Sequence, residues 1–187
     1  MIYLEVKNSL KALKENNLIL YPTDTVWGIG CDATDKESVT KVFEIKKRSE
    51  SKSLIILVDG IEMLKKYIPS ISKNVIDLLS KTKNPTTIIY KNPVGLAKNV
   101  VAEDNTVAIR IPENEFCKQL ITAYGKPIVS TSANVSGKPT PNCFKEIDIA
   151  ILDSVDYIVN LQRKKVNDKS STILKVGENG EIKVLRK

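Results

Sequence analysis

LILYPTDTVWGIGCDA, residues 18–33, predicts two β-strands joined by a polar loop. The apolar run LILY is stopped by Pro22, and the second strand, VWGIGCDA, carries Gly28 and Gly30. The loop between them, Pro-Thr-Asp-Thr, places two hydroxyls and a carboxylate at the end of a strand. Two interpretations stay open: a turn whose side chains satisfy the backbone, or a site for a small polar ligand that the glycines allow to approach closely.

The rest of the chain alternates between helix and strand patterns. A capping box of Thr34 and Glu37 predicts a helix that buries Val39, Val42 and Phe43 and ends at residues 46–48. Other patterns predict helices at residues 3–15, 61–67, 72–81, 115–124 and 144–150, and strands at residues 54–58, 86–90, 107–111, 127–132 and 157–159. A final hairpin pairs STILKV with IKVLR across Glu178-Asn179-Gly180, because Asn-Gly favours a type I′ turn. This alternation predicts an α/β fold with a mixed sheet, in one domain over residues 1–187.

The composition excludes several classes of enzyme. The chain of 187 residues contains no histidine, which rules out Ser-His and Cys-His hydrolases and a histidine general base. Its three scattered cysteines argue against a disulfide framework and favour a reducing compartment. No apolar stretch is long enough for a membrane span, and the first residues lack a signal-peptide core, so we expect a cytoplasmic protein.

A cluster of cations follows the second predicted helix. Lys46, Lys47 and Arg48 end that helix, and Lys52 lies in the serine-rich loop that precedes a buried strand. The cations stabilise the helix dipole, or they hold phosphate oxygens, with arginine as a bidentate fork and lysine as a point charge. Neither a Walker A loop nor G-x-G-x-x-G occurs in the chain.

Two further segments offer polar groups at strand ends. The loop STSANVSGKPTPN presents the Ser132 hydroxyl and the Asn134 amide, which form a donor–acceptor set and not a nucleophile–base pair. Arg110 lies within the apolar strand VAIRIP, where a buried charge must be paired or must face a cleft. Both alternatives for Arg110 stay open at this point.

In their order along the chain, these segments resemble the YrdC/TsaC family of threonylcarbamoyl-AMP synthases. PTDTVWGIGCDA is similar to the family's P-T-[DE]-T-V-Y-G-L-G, and VFEIKKRSESKSLIILV to its I-F-x-x-K-x-R-P segment. VAIRIP, STSANVSGKP, the pair Ser171-Thr172 and the terminal VLRK also fit. Ser49 and Ser53 depart from the pattern, because they stand where the family has prolines. The resemblance implies a single-domain, open, twisted mixed sheet flanked by helices.

The resemblance also implies a reaction, in which L-threonine, bicarbonate and ATP give threonylcarbamoyl-AMP and pyrophosphate for the threonylcarbamoyladenosine modification of tRNA. It implies catalytic roles for Lys46 and Arg48 and Mg²⁺ bound with ATP. The expected ATP-binding residues are Arg48, Lys52, Ser132, Asn134, Asn142 and Arg186, and the expected threonine-binding residues are Thr25, Arg110 and Ser171. Partner proteins would transfer the product to tRNA.

The alternative from another class is a basic RNA-binding module without catalysis. The net charge is +7, residues 81–98 contain lysines and no acid, and Arg163-Lys164-Lys165 form a second basic run. Such a surface would bind tRNA or double-stranded RNA. Aromatic residues make up only 5% of the chain, which provides few platforms for base stacking.

Overall fold

The computed structural model describes residues 1–49, 54–167, 169–177 and 181–187. Helices and strands alternate along this part of the chain, with two short 3₁₀ helices at Lys98–Val100 and Phe144–Glu146. The elements are α1 (Ile2–Lys14), β1 (Ile19–Tyr21), β2 (Gly28–Gly30), α2 (Lys36–Lys46), β3 (Ile55–Leu57), α3 (Ile61–Tyr67), α4 (Lys73–Lys81), β4 (Thr86–Lys91), β5 (Thr106–Arg110), α5 (Glu115–Tyr124), β6 (Ile128–Ser132), α6 (Ile149–Leu152), β7 (Tyr157–Ile158), β8 (Thr172–Val176) and β9 (Ile182–Arg186).

The strands form one sheet in the order β7-β1-β2-β6-β3-β5-β4-β8-β9. Three neighbouring pairs are parallel, β1 with β7, β3 with β5 and β4 with β8, and the other pairs are antiparallel. The sheet is open, because β7 and β9 do not pair with each other. The prediction of an α/β fold with a mixed sheet is therefore confirmed.

The sequence predicted some helix boundaries correctly and others incorrectly. The capping box of Thr34 and Glu37 is wrong: Asp35 is the N-cap of α2, and its carboxylate accepts from the Ser38 backbone N–H at 2.8 Å. Thr34 instead donates its backbone N–H and its hydroxyl to Asp32. The helix predicted at residues 144–150 is split into a 3₁₀ turn and α6, while Gly125, at φ 75°, ends α5 as expected. The predicted turn at residues 178–180 lies outside the described residues.

No helix among the described residues is long and apolar enough to cross a membrane.

The core contains Tyr21, which is fully buried and donates its hydroxyl to the Val129 carbonyl at 3.0 Å. Its ring packs against Phe116 of α5, with ring centroids 6.4 Å apart. Gly30 of β2 lies beside this ring, where a Cβ atom would come within 2.5 Å of Tyr21 Cε1 and 2.8 Å of the Val129 carbonyl oxygen. The close contact between β1, β2 and β6 therefore requires glycine at position 30.

We expect Gly30→Ala to lower the free energy of unfolding by about 1–3 kcal/mol, because the added methyl overpacks a fully formed core. The measurement is urea denaturation followed by circular dichroism. Gly60→Ala is the matched control, since a Cβ there meets nothing within 4 Å. Equal destabilisation by the two substitutions would contradict the steric argument.

Candidate active site

One face of the sheet forms the floor of a cleft of about 410 Å³. Residues two apart in a strand share a face, and three strands of the sheet follow this rule, with Thr87 and Ile89 of β4, Ala108 and Arg110 of β5, and Ser130 and Ser132 of β6 all lining the cleft; β3 lies between β5 and β6. The register aligns them, because Ile55 of β3 pairs with both Ala108 and Ser130, and Thr87 pairs with Arg110. The strand pattern thus brings hydroxyls and one guanidinium to a single surface.

Most of the site residues expected from the sequence line this cleft, namely Thr25, Arg48, Arg110, Ser132, Asn142, Ser171 and Arg186. Lys46 and Asn134 are not among the residues that line it. Lys52, like Ser53, lies outside the described residues. The chain therefore brings together side chains from the β1–β2 loop, the segment after α2, strand β5, the end of β6 and the loop after it, the residue before β8, and β9.

Arg110 provides a buried cation in the cleft. Its side chain is 4% exposed, and its Nη2 lies 3.3 Å from the Asp24 Oδ1, whose side chain is 5% exposed. The sequence left open whether Arg110 is ion-paired or faces a cleft, and both are true. Its Nε is buried and has no hydrogen-bond partner among the described residues. Because an unmet buried donor costs free energy, an anionic oxygen placed there would be stabilised.

Two pairs of hydroxyls belong to elements that adjoin Arg110: Thr87 is its partner on β4, and Thr23 and Thr25 flank Asp24. The Thr87 and Ser171 hydroxyl oxygens are 2.8 Å apart, and those of Thr23 and Thr25 are 3.0 Å apart. Thr23 donates its hydroxyl proton to the Val26 carbonyl, so Thr25 is the donor to Thr23. The Thr25 oxygen therefore keeps lone pairs that can accept a hydrogen bond from a ligand.

Arg186, in β9, supports the Ser171 segment. Its Nη2 and Nε donate to the Ser171 carbonyl oxygen at 2.9 and 3.2 Å. This fork-like contact ties the last strand to the start of β8 and fixes the position of the Ser171 hydroxyl.

Arg48 enters the cleft because of the way α2 ends. Lys47 adopts a left-handed conformation, φ 47°, and the Arg48 backbone N–H donates to the Phe43 carbonyl at 3.0 Å. The chain turns sharply there, so the side chains on either side of Lys47 take different directions. Burial lowers the pKa of the Arg48 guanidinium, which nevertheless stays cationic at neutral pH.

Lys46 occupies a different place from the one expected of a phosphate ligand. Its side chain is 1% exposed, and its Nζ donates to the carbonyl oxygens of Ser132 and Asn134, the latter at 2.7 Å. The Ser136 backbone N–H donates in return to the Lys46 carbonyl at 2.8 Å. Burial, together with the Arg48 charge, lowers the pKa of Lys46 to about 8. Lys46 therefore links the loop after β6 to the end of α2 through hydrogen bonds, and it does so outside the cleft lining.

Asn134 also differs from the expectation of direct nucleotide contact. Its amide Nδ2 donates to the Lys138 carbonyl at 2.7 Å and to the Val135 carbonyl at 3.2 Å. The side chain lines a neighbouring depression of about 250 Å³ rather than the cleft itself. Asn142 does line the cleft, and its backbone is held by Glu146 and Asn167.

Sequence reasoning missed Thr87 and Trp27 as cleft residues. Thr87 belongs to a strand that was predicted, but the pattern TTIIY did not indicate which face would be open. Trp27 is 2% exposed and packs on Phe144, with ring centroids 5.0 Å apart. The Arg163 guanidinium lies 4.4 Å from the centre of the Phe144 ring, so a cation–π contact extends this wall.

The described residues lining the cleft include no carboxylate, and no group of three potential metal-ligating side chains occurs in the described ranges. Magnesium prefers oxygen ligands and keeps several waters. The hydroxyls and backbone carbonyls of the cleft would suit an Mg²⁺ ion that arrives with ATP, bound chiefly to phosphate oxygens.

Comparison with known proteins places this geometry in a family. The Sua5/YciO/YrdC family model, described as "Telomere recombination", matches residues 11–187. A putative threonylcarbamoyl-AMP synthase of Methanocaldococcus jannaschii is 34% identical over 176 residues, covering 93% of this chain and 81% of that protein. The threonylcarbamoyl-AMP synthase of Pseudoalteromonas translucida is 31% identical over 178 residues, covering 93% of this chain and 94% of the relative.

A solved structure shows the same architecture. P. abyssi Sua5 complexed with L-threonine aligns with a TM-score of 0.87 and 26% identity over 97% of this chain and 53% of that one. The chain thus spans about half the length of that Sua5. With the family model covering nearly all of the sequence, the chain belongs to the Sua5/YciO/YrdC family.

Proposed function

We propose that the cleft converts L-threonine, bicarbonate and ATP into threonylcarbamoyl-AMP and pyrophosphate, which supplies the threonylcarbamoyladenosine modification of tRNA. The observation that carries the proposal is that two buried or half-buried guanidinium groups, Arg48 and Arg110, line one cleft with several hydroxyls. A substrate carboxylate and a polyphosphate both need such cations. The names of the relatives and the threonine complex of P. abyssi Sua5 support the same reaction.

The reaction has two bond-forming steps. The threonine amine attacks the bicarbonate carbon, forming an N–C bond with loss of water and leaving a carbamate. A carbamate oxygen then attacks the ATP α-phosphorus, and the bond to the β-phosphate oxygen breaks to release pyrophosphate. Neither step needs a protein nucleophile, because positioning and charge stabilisation carry most of the rate in such transfers. A site without histidine is suited to this chemistry.

On the nucleotide side, Arg48 stabilises the phosphate charge that grows as pyrophosphate leaves. The Ser132 hydroxyl and Asn142 bind the nucleotide from the β6 side, and Arg186 from the last strand. Lys52 takes a phosphate-binding role on sequence grounds. Mg²⁺ bound with ATP would neutralise phosphate charge.

On the amino-acid side, Arg110 binds the threonine carboxylate. Thr25 accepts a hydrogen bond through its unused lone pairs, and Ser171 contributes a second hydroxyl. An analogue that lacks the threonine hydroxyl would leave polar groups of the site without a hydrogen-bond partner. Such an analogue should therefore bind more weakly than threonine.

We propose that Lys46 and Asn134 act through the loop and not on the phosphates. Lys46 holds the Ser132 carbonyl, and Asn134 holds the Val135 and Lys138 carbonyls. They fix the position of the Ser132 hydroxyl, which lines the cleft. Their roles in catalysis are therefore positional.

Transfer of the product to tRNA by partner proteins, and a cytoplasmic location, stay predictions. The RNA-binding alternative gains little from the fold. Lys83 precedes β4 and Lys91 ends it, so a strand of about 17 Å separates cations that the sequence placed in one basic stretch. The names of the relatives also favour catalysis.

We expect threonylcarbamoyl-AMP to form when the protein is incubated with L-threonine, bicarbonate, ATP and Mg²⁺. Mass spectrometry of the adenylate and a pyrophosphate assay measure it, with L-serine in place of threonine as the substrate control. Absence of the adenylate at every magnesium concentration, with folded protein, would overturn the proposed function.

Arg48→Ala is expected to lower kcat/KM by about 100-fold or more, because one preorganised cation facing the transition state is lost. Lys47→Asn is the matched control, since it removes a neighbouring exposed cation and asparagine tolerates the left-handed conformation. Both variants should show the circular dichroism spectrum of the wild type. Equal activity of Arg48→Ala and Lys47→Asn would contradict the catalytic role of Arg48.

Lys46→Met should reveal the buried ammonium through the pH dependence of stability. The pKa of Lys46 is about 8 in the folded protein and ordinarily 10.5, so between these values the unfolded chain binds more protons than the folded one. The free energy of unfolding of the wild type should therefore rise relative to that of Lys46→Met from pH 8 to pH 10, with the full cost of the buried charge present below pH 8.

Urea denaturation at intervals of half a pH unit measures this difference. Lys41→Met, on the exposed side of α2, controls for the loss of a lysine from the same helix. A difference between wild type and Lys46→Met that stays constant or falls over this range would contradict the burial of the Lys46 charge.

A further inference from the structure

The buried Arg110 side chain is held by packing and by one ion pair. Among the described residues, the only charged group paired with its guanidinium is Asp24, at 3.3 Å. An arginine side chain has about 2 kcal/mol of rotamer entropy, so a cation fixed only at its backbone would sample several directions. The ion pair with Asp24 favours one of them. The contact is not a hydrogen bond, since Asp24 Oδ1 and Arg110 Nε are both buried without a hydrogen-bond partner among the described residues.

Asp24 is itself fixed from two sides. Its Oδ2 accepts from the Glu113 backbone N–H at 3.2 Å, in the segment between β5 and α5. On its other side, the chain is held by the Thr25 backbone N–H, which donates to the Thr23 hydroxyl at 3.0 Å. Asp24 therefore links the β1–β2 loop, which carries Thr25, to the segment that follows Arg110.

Asp24 is not among the residues that line the cleft, although its ion-pair partner Arg110 and the next residue in the chain, Thr25, both are. Its side chain is almost completely buried, so it offers its charge to Arg110 and not to solvent. A residue in this place can orient a ligand-binding group and supply its counter-charge without touching the ligand.

We propose that Asp24 is the positioning residue for the carboxylate subsite: it holds the Arg110 guanidinium in the direction that receives the amino-acid carboxylate. The proposal rests on the proposed function, since it deepens the role given there to Arg110. If Asp24 only competed with the threonine carboxylate for Arg110, removing its charge would strengthen threonine binding. The positioning role predicts that removing it weakens threonine binding.

The test is Asp24→Asn, which keeps the shape of the side chain and removes its charge. We expect the Kd for L-threonine, measured by calorimetry, and the KM for threonine to rise at least tenfold, with the KM for ATP within about twofold of wild type. Asp24→Glu should restore threonine binding to within about threefold, because it returns the carboxylate. Asp59→Asn is the matched control, an acid-to-amide change at a carboxylate that bonds only Thr122 among the described residues.

A second variant covers the case in which Asp24→Asn does not fold. Glu113→Pro removes the backbone N–H that fixes Asp24 and keeps both buried charges, so we expect a rise of about threefold in the Kd for threonine. Glu115→Pro is its control, because proline is accepted at the first position of α5.

Threonine binding that is unchanged or tighter in Asp24→Asn, with normal wild-type binding, would overturn the positioning role and leave the proposed function intact. A parallel rise in the KM for ATP, with a lowered melting temperature, would also overturn it in favour of a structural role. Wild-type protein that neither binds threonine nor forms the adenylate would overturn both proposals.

Discussion

The ammonium group of Lys46 joins the two halves of the site. A buried cation needs partners, and the carbonyls of Ser132 and Asn134 provide them, so the loop after β6 is fastened to the end of α2. Arg48 follows two residues later and faces the cleft, while Ser132 faces it from the other side of the same contact. The relative position of these two cleft groups therefore depends on a lysine that does not itself line the cleft.

A second constraint comes from the sheet. Five neighbouring strands, from β6 to β8, keep one face open, and the alternation of side chains fills that face with hydroxyls and apolar groups while a single buried guanidinium, Arg110, supplies its charge. Cations enter otherwise only from the loop after α2 and from Arg186, within the described residues that line the cleft. The floor thus holds one guanidinium among hydroxyls and apolar groups, and further cations reach the cleft from its edges, an arrangement suited to charge stabilisation in a histidine-free site.

Periodicity predicted most of the fold, because apolar runs and helical stripes report burial directly. The sequence predicted Thr34 as the N-cap of α2, but the N-cap is Asp35. Both residue types can cap a helix, and the Thr34 hydroxyl donates to Asp32 instead. For the site, the family resemblance predicted seven residues that line the cleft, namely Thr25, Arg48, Arg110, Ser132, Asn142, Ser171 and Arg186. The sequence could not show that Lys46 and Arg48 point in different directions, because this follows from the left-handed conformation of Lys47. Nor could it show that the Asn134 amide donates to a carbonyl of its own loop. Side-chain direction at a helix end or in a loop depends on contacts distant in sequence.

The cleft is assembled from residues that are far apart in the chain, from Thr25 near the beginning to Arg186 in β9. β8 completes the floor only after it pairs with β4, and β7 must reach back to β1. Such long-range pairing raises the contact order and slows folding. During synthesis on the ribosome, a nascent chain that already contains α1 to α6 still lacks one side of the cleft, so the cleft is complete only when the last strands of the sheet have paired.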